Sequence, residues 1–402
     1  MTTDRPRANL DDFTIHVANH DQQIQHAKAG WIHWKKDNTF ERYWDMYRKE
    51  REESPWGNNG KMLTWVLVRK DDIEGEIYAA CETYQRKGFI KQKGSDSVED
   101  THLYGIASVV TPQQHLRNGY ATRLLSLLHS RLSNLPPPSF DALPDKSESS
   151  SSEICIPKAC GSILWSDVGS KFYSKCSPDS DRQGWVVDDH QVTELVWKIL
   201  PTSGSEQLEK VWEWIYLSDL SSINHTLSQG AKENLRKVDT SERSVYIHDP
   251  ASEGTTSFIP LKGTWQRPLI MNPEPIGLKY KSDIQGQEEE ETIILFSLRT
   301  INIGDRLLIT YIHNLKSERL PSVLKALDII GRKANQEEGW IWGLNASNDD
   351  ELIKTWQDDS KGERQVKFGR RKEIDGHLLG VAWYGDKEDK GELVDGQMYT
   401  WM

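Results

Sequence analysis

The segment from Gly105 to Leu125 constrains the fold most. An apolar strand, Ile106 to Val110, stops at Pro112. A short polar loop closes with Arg117-Asn118-Gly119-Tyr120-Ala121, and a helix begins at once, with Leu124, Leu125, Leu128 and Leu132 on one stripe. A strand running directly into an amphipathic helix belongs to a mixed α/β layer architecture. The loop has the chemistry of an anion site. Gly119 permits unusual φ values and close backbone approach. The first turn of the helix leaves amide N–H groups without an intrahelical partner, and the helix dipole favours negative charge there. Arg117 adds a fixed positive charge, and Ala121 is small where a ligand would crowd the helix start.

Strand and helix periodicities surround this segment. The pattern predicts strands over 13–18, 62–69, 76–84 and 103–111, and helices from Asp21, over 40–53 and over 119–132. Within 76–84, Ile77, Ala79, Cys81 and Thr83 share one face, and Tyr78, Ala80, Glu82 and Tyr84 the other. Residues 134–153 hold three consecutive prolines and a serine-rich run, which predicts a disordered insertion. Beyond it come a strand over 163–165, a helix over 168–175, and strands over 184–188 and 192–199. Residues 201–206 read as a linker between a domain over 1–200 and an α+β domain over 207–402. In the second half the pattern predicts helices over 208–217, 220–238 and 321–335, and strands over 256–261, 293–299, 306–312, 340–344 and 377–383. Its order loosely echoes that of the first half, without the glycine motif.

Composition removes several function classes. With 402 residues, 28% of them charged, the chain is long enough for two or three domains. A net charge of −11 disfavours binding to nucleic acid through a basic surface. No apolar run is long enough to span a bilayer, and the polar start lacks a secretory pattern, so the expectation is a cytoplasmic protein without a membrane role. Four cysteines without a signal segment read as reduced thiols. Cys155 and Cys160 have no second pair or histidine partners at ligand spacing, so no metal is assigned. The sequence does not set the oligomeric state.

The loop resembles the acetyl-CoA motif of GNAT acetyltransferases, Q/R-x-x-G-x-G/A, with Leu116 at the Q/R position and Arg117 one place later. A second patch, Trp165-Ser166-Asp167-Val168-Gly169-Ser170-Lys171-Phe172-Tyr173 followed by Gly184-Trp185, is similar to the next strand and helix of that family. The resemblance implies a GNAT acyl-CoA N-acyltransferase fold, with the second half open to reading as a degenerate second unit. It implies acetyl-CoA as co-substrate, with Val109 and Val110 along the pantetheine arm. Arg117, Asn118, Gly119, Tyr120, Ala121, Thr122 and Ser166 fall to the cofactor site.

The resemblance also implies Tyr173 as the acid that protonates the departing thiolate; as a bare residue it could equally pack beside Phe172. A phenol with a pKa of about 10 suits that donation. Some members of the family carry a Glu base near the position of Tyr104, so Tyr104 falls on the substrate side, and His102 and Glu82 are the candidate bases. Asp167 would bind a cationic substrate or cap a helix. The overall arrangement resembles fungal enzymes that acetylate free lysine on its side chain, which implies L-lysine as the amine. A polyamine, an aminoglycoside or a protein lysine, and a non-catalytic acyl-CoA-binding role, remain alternatives.

Overall fold

Met62–Arg69 is buried at every position but its last, so both of its faces are covered. Such a strand needs packing above and below it. The computed structural model of the chain describes residues 9–35, 37–133, 156–179, 181–201, 207–280, 291–299, 306–345 and 347–402. The strands of the first sheet are β1 (Phe13–Val17), β2 (Met62–Arg69), β3 (Ala79–Lys91), β4 (Val98–Val110), β5 (Gly161–Ser166) and β6 (Val186–Val187). Helices α1 (His20–Trp34) and α2 (Phe40–Glu53) join β1 to β2, and α3 (Tyr120–Ser133) follows β4. Leu63, Trp65, Leu67 and Cys81 pack against the leucines of α3 on one face. Val66, Val68 and Ala80 pack with Ala29 of α1 on the other. That second face also carries Glu82 and Tyr84, by the period of two along β3.

The chain continues through β7 (Thr193–Lys198), β8 (Trp212–Tyr216), α4 (Leu220–Lys237), β9 (Val245–His248), α5 (Phe258–Gln266) and β10 (Pro275–Tyr280). After these come β11 (Ile293–Ser297), β12 (Leu307–His313), α6 (Leu320–Lys333), β13 (Glu338–Trp342), α7 (Asp350–Asp358), β14 (Lys367–Arg370), β15 (Leu378–Trp383) and β16 (Glu392–Leu393).

The two sheets repeat one pairing scheme. The first runs β1-β2-β3-β4-β5-β15-β6, with β9 and β16 added beside β3, and the second runs β8-β10-β11-β12-β13-β7-β14. In each, four antiparallel strands lead to one parallel pair, β4 with β5 and β12 with β13. In each, the strand beyond that pair comes from the other half: β15 lies against β5, and β7 lies against β13. The sheets therefore do not divide at 201–206, where the sequence places a boundary. β7 precedes that point and β9, β15 and β16 follow it. Residues 202–206 and the predicted insertion lie outside the described residues.

Three sequence expectations fail locally. The stretch 168–175 is no α-helix: Gly169 takes φ +86° and only Tyr173–Lys175 forms a 3-10 turn. The amide of Ser170 is held by Glu373 instead of a helical carbonyl. The apolar residues of 208–217 fit both periods, and pairing with β10 decides for the strand β8. Residues 256–261 enter α5; Pro260 stands in its first turn, where a missing N–H costs little. No described helix is long and apolar enough to cross a membrane.

A shared core joins the two units: Tyr47, Trp56, Met62 and Tyr84 meet Phe258, Leu308, Trp342, Met398 and Trp401.

Candidate active site

The parallel pair β4–β5 opens into a cleft. Their pairing runs from Leu103 beside Gly161 to Ile106 beside Leu164, yet β4 continues to Val110. Ala107–Val110 thus carry a backbone edge that β5 does not cover. On the β3 side, Glu82 faces Ala107 and Ala80 faces Val110, so three steps on β4 oppose two on β3. One residue is extra, which is a β-bulge. Ser108 takes φ +51° there, an uncommon conformation for a residue with a side chain.

A cavity of about 1020 Å³ lies at this opening. Ala107, Ser108, Val109, Val110, Leu164 and Trp165 line it from the sheet, and Tyr43, Met46, Tyr47 and Glu50 from α2. Lys262, Trp265, His377, Trp401 and Met402 line it from the second half of the chain.

Glu82 sits at the floor, 3% exposed. Its Oε2 accepts from the Ser108 hydroxyl at 2.6 Å and from the Tyr84 phenol at 3.1 Å. Its Oε1 is 3.8 Å from His26 Nδ1. Glu50 is more fully engaged. It accepts from Trp56 Nε1 at 3.1 Å and pairs with Lys262 at 2.8 Å, and the Tyr84 hydroxyl lies 3.3 Å away. A buried carboxylate satisfied in this way ties α2, β3 and α5 together, whereas Glu82 keeps capacity for a cation in the cavity.

Tyr173 also lines the cavity. Burial first, then the Cys176 thiol and the Asp167 carboxylate, push its phenol above the usual range, so it stays protonated. Its turn is set by close packing. The Trp185 amide donates to the Tyr173 carbonyl at 3.0 Å, and any side chain at Gly184 would collide with that same oxygen. Asp167, at the end of β5, lies 2.7 Å from His377 Nδ1. His377 belongs to the turn before β15, takes φ +47°, and its ring forms a cluster of three with those of Trp342 and Trp401, all within 5.9 Å of one another. Arg371 holds this turn by donating to the carbonyls of Gly376 and His377 at 3.1 and 2.5 Å. Burial lowers the Arg371 pKa to about 9, while its guanidinium stacks 4.3 Å from the Trp342 ring centre.

The predicted phosphate loop has the expected backbone. Arg117 and Gly119 take φ +65° and +86°, and α3 opens with Arg123 N–H donating to the Gly119 carbonyl at 3.0 Å. The Asn118 side chain locks the loop through the carbonyls of His115 and Leu116 at 3.2 and 3.3 Å. Leu116 and Ala121 line the cavity, so the loop borders it.

Among the residues singled out in the sequence, Glu82, Val109, Val110, Ala121, Asp167 and Tyr173 line one cavity. Arg117, Asn118 and Gly119 stand in the adjoining loop. Five others lie outside the cavity lining. His102 is opposite Lys87 on β4, with Nδ1 3.3 Å from Gln85 Nε2, outside the cavity lining. Tyr104 is buried on the α3 face and donates to the Pro157 carbonyl at 2.9 Å. Tyr120 packs on Phe13 and Tyr78, and the Ser166 hydroxyl closes its own turn onto the Gly169 carbonyl at 2.7 Å. Thr122 hydrogen-bonds Cys176. Sequence reasoning missed His26, Tyr47, Lys262, His377 and Trp401. Tyr47 and Arg51 do stand one helical turn apart on α2, but the other residues leave no local signal.

No protein-family model matches the chain. A lysine acetyltransferase of Yarrowia lipolytica is 27% identical over 137 residues, which are 31% of this chain and 31% of that protein. The match thus spans about a third of that relative's length. In fold the chain is similar to a conserved protein of unknown function from Enterococcus faecalis, described as a probable N-acyltransferase. The TM-score is 0.50 at 8% identity, over 92% of this chain and 73% of the other. A GCN5-related N-acetyltransferase from Kribbella flavida superposes with a TM-score of 0.44 at 12% identity, over 92% of this chain and 70% of the other. The Enterococcus likeness shows that the chain shares the fold of that probable N-acyltransferase.

Proposed function

We propose that the chain transfers an acetyl group from acetyl-CoA to an amine, and that the amine is the side chain of free L-lysine. The observation that carries this reading is the meeting of three features in one cavity: the uncovered β4 edge at Ala107–Val110, the buried carboxylate of Glu82, and the phenol of Tyr173.

The residues fit the co-substrate. The uncovered edge can hydrogen-bond an extended pantetheine arm as an added strand would. The left-handed loop, the first-turn amides of α3 and Arg117 suit a pyrophosphate. Acetyl-CoA supplies an activated thioester carbonyl and a thiolate leaving group. Everything else falls to the chain. A lysine ammonium, with a pKa of about 10.4, must become neutral before it can attack. In changing from ammonium to amide the nitrogen loses two protons. Glu82 accepts one, and Tyr173 passes the equivalent of the other to the thiolate, so the balance is one proton released per acetyl transferred.

The cations around the cavity favour a substrate with a carboxylate. Arg42 and Arg267 line it together with Asp37, Glu82 and Asp167, while Lys262 is paired with Glu50. An amino acid offers a carboxylate to the arginines and ammonium groups to the acids; a polyamine offers no anion. The name of the Yarrowia relative agrees with this choice. A non-catalytic acyl-CoA-binding protein would have no use for a buried carboxylate beside the β4 edge.

The test is acetyl-CoA turnover with free lysine, spermidine and a lysine peptide, run on wild type and Tyr173→Phe. The reading expects the highest kcat/KM with free lysine and a large loss in the variant. No rate with lysine above background would sink the substrate assignment. Acetyl-CoA binding without turnover on any amine would favour the binding-module alternative.

A further inference from the structure

His26 is the buried histidine of α1, 2% exposed and absent from the cavity lining. Both of its ring nitrogens are engaged. Nε2 lies 3.1 Å from the carbonyl oxygen of Ser108, and Nδ1 lies 3.4 Å from the Tyr47 hydroxyl. A carbonyl can only accept, so Nε2 carries the hydrogen. In a neutral ring Nδ1 must then accept, and Tyr47 donates to it. The Tyr47 oxygen in turn accepts from Arg51 Nη2 at 2.7 Å and is bonded to the Thr64 hydroxyl. Donors and acceptors thus run in one direction, from Arg51 through Tyr47 and His26 to Ser108. The charged and titratable groups facing the ring are Glu82 on β3 and Arg51 and Tyr47 on α2. Burial lowers the His26 pKa despite Glu82, which keeps the ring neutral as this chain requires.

The recipient is the carbonyl of the bulged residue. In a trans peptide the C=O of one residue and the N–H of the next point in opposite directions. Holding the Ser108 oxygen toward α1 turns the Val109 N–H away from α1. Val109 lines the cavity and has no partner in the β3 ladder register.

We propose that His26 is a positioning residue: through the Ser108 carbonyl it fixes the bulge so that the Val109 N–H faces the acyl carbonyl in the cleft. This rests on the acyl-transfer reading. A backbone donor aimed at a carbonyl that gains negative charge is worth about 10²–10³ in kcat.

The test compares His26→Gln with His26→Asn. Glutamine can place an N–H where Nε2 stands; asparagine reaches only as far as Nδ1. The expected result is a fall of about 10²-fold in kcat for His26→Asn, with KM for acetyl-CoA nearly unchanged, and recovery to within about fivefold in His26→Gln. Calorimetry supplies a readout independent of turnover. Wild type should bind acetyl-CoA more tightly than CoA, and His26→Asn should lose that preference while His26→Gln keeps it. Equal behaviour of the two variants, in kcat or in the affinity ratio, overturns the proposal. A wild type without turnover would sink the acyl-transfer reading, and the affinity ratio would still decide the role of His26.

Discussion

Replacing Glu82 by glutamine tests the proton acceptor without disturbing its surroundings. The amide oxygen of glutamine can accept from Tyr84 and Ser108, which now donate at 3.1 and 2.6 Å. Its NH₂ group would stand where Oε1 now lies, 3.8 Å from His26 Nδ1, whose lone pair already accepts from Tyr47. Every hydrogen bond is therefore kept and only the charge is lost, so Glu82→Gln should fold and bind acetyl-CoA as wild type does. What changes is the supply of neutral amine. At pH 7.4 a side-chain amine with a pKa of about 10.4 is neutral in about one molecule per thousand. Without Glu82 the reaction draws on that fraction, and kcat/KM for lysine should fall by roughly 10²–10³, or about 3–4 kcal/mol of barrier. The loss should shrink by about tenfold per pH unit between pH 8 and 10, as solvent takes over the deprotonation. A thiol-release assay run across that range reads both effects. A variant within threefold of wild type at pH 7.4, or a deficit that stays constant with pH, would refute the role of Glu82.

Tyr173→Phe removes the proton donor and keeps the ring; kcat should fall by about 10²-fold, with acetyl-CoA affinity by calorimetry unchanged. Gly119→Trp forces a side chain into a left-handed position at a cost of about 1–2 kcal/mol and blocks the loop; acetyl-CoA binding should vanish while the thermal transition survives, and retained affinity would rule out this placement of the pyrophosphate. Stability should also depend on pH through two buried histidines, His129 and His248, whose pKa values burial lowers to about 4 and about 3. Both folded values lie below the unfolded value, so the native state binds fewer protons; stability is full above about pH 6.5 and declines as pH falls toward the folded values, by roughly 2 kcal/mol for each histidine at pH 5. Thermal melts should show this slope, and His129→Phe should flatten it; an unchanged slope in the variant contradicts the assignment.

What could be read from the sequence was what local order encodes. The strand, loop and helix from Gly105 to Leu125 follow from periodicity and one glycine. The alternation holds from Ala79 onward, with Ala80 on the face opposite Ala79 and Cys81, but Ile77 and Tyr78 precede β3 and take the faces opposite to those expected. It could not say that both faces would be buried, because α1 and α2 on one side and α3 on the other cover them from outside the strand's own pattern. The stretch at Val168–Lys175 misled because its composition suits a helix, while the deciding contact, Glu373 with the Ser170 amide, comes from 203 residues away. His377, Lys262 and Trp401 were invisible for the same reason. They reach the cavity only because strands cross between the sheets, and strand exchange leaves no trace in periodicity.

That exchange also accounts for the inequality of two units with one pairing scheme. In the first sheet the parallel pair ends at Ile106 and Leu164, and the rest of β4 meets the cavity. In the second the parallel pair ends at Ile309 and Ile341, and the edge of β12 beyond it is taken. The Gln397 side chain accepts from the Ile312 amide at 2.7 Å, and its NH₂ lies 3.3 Å from the Ile312 carbonyl. The backbone of Gly396 passes so close to Gly343 that any side chain there would collide with it. A buried strand edge must find hydrogen-bond partners. The second edge finds one in its own chain at Ile312 and has no such capacity left there for an extended ligand. The same segment goes on to place Trp401 and Met402 in the wall of the first cavity. One stretch of chain therefore occupies the equivalent edge in the second unit and walls the cleft in the first, which makes the second unit a part of the first cavity's wall and not a second copy of that cavity.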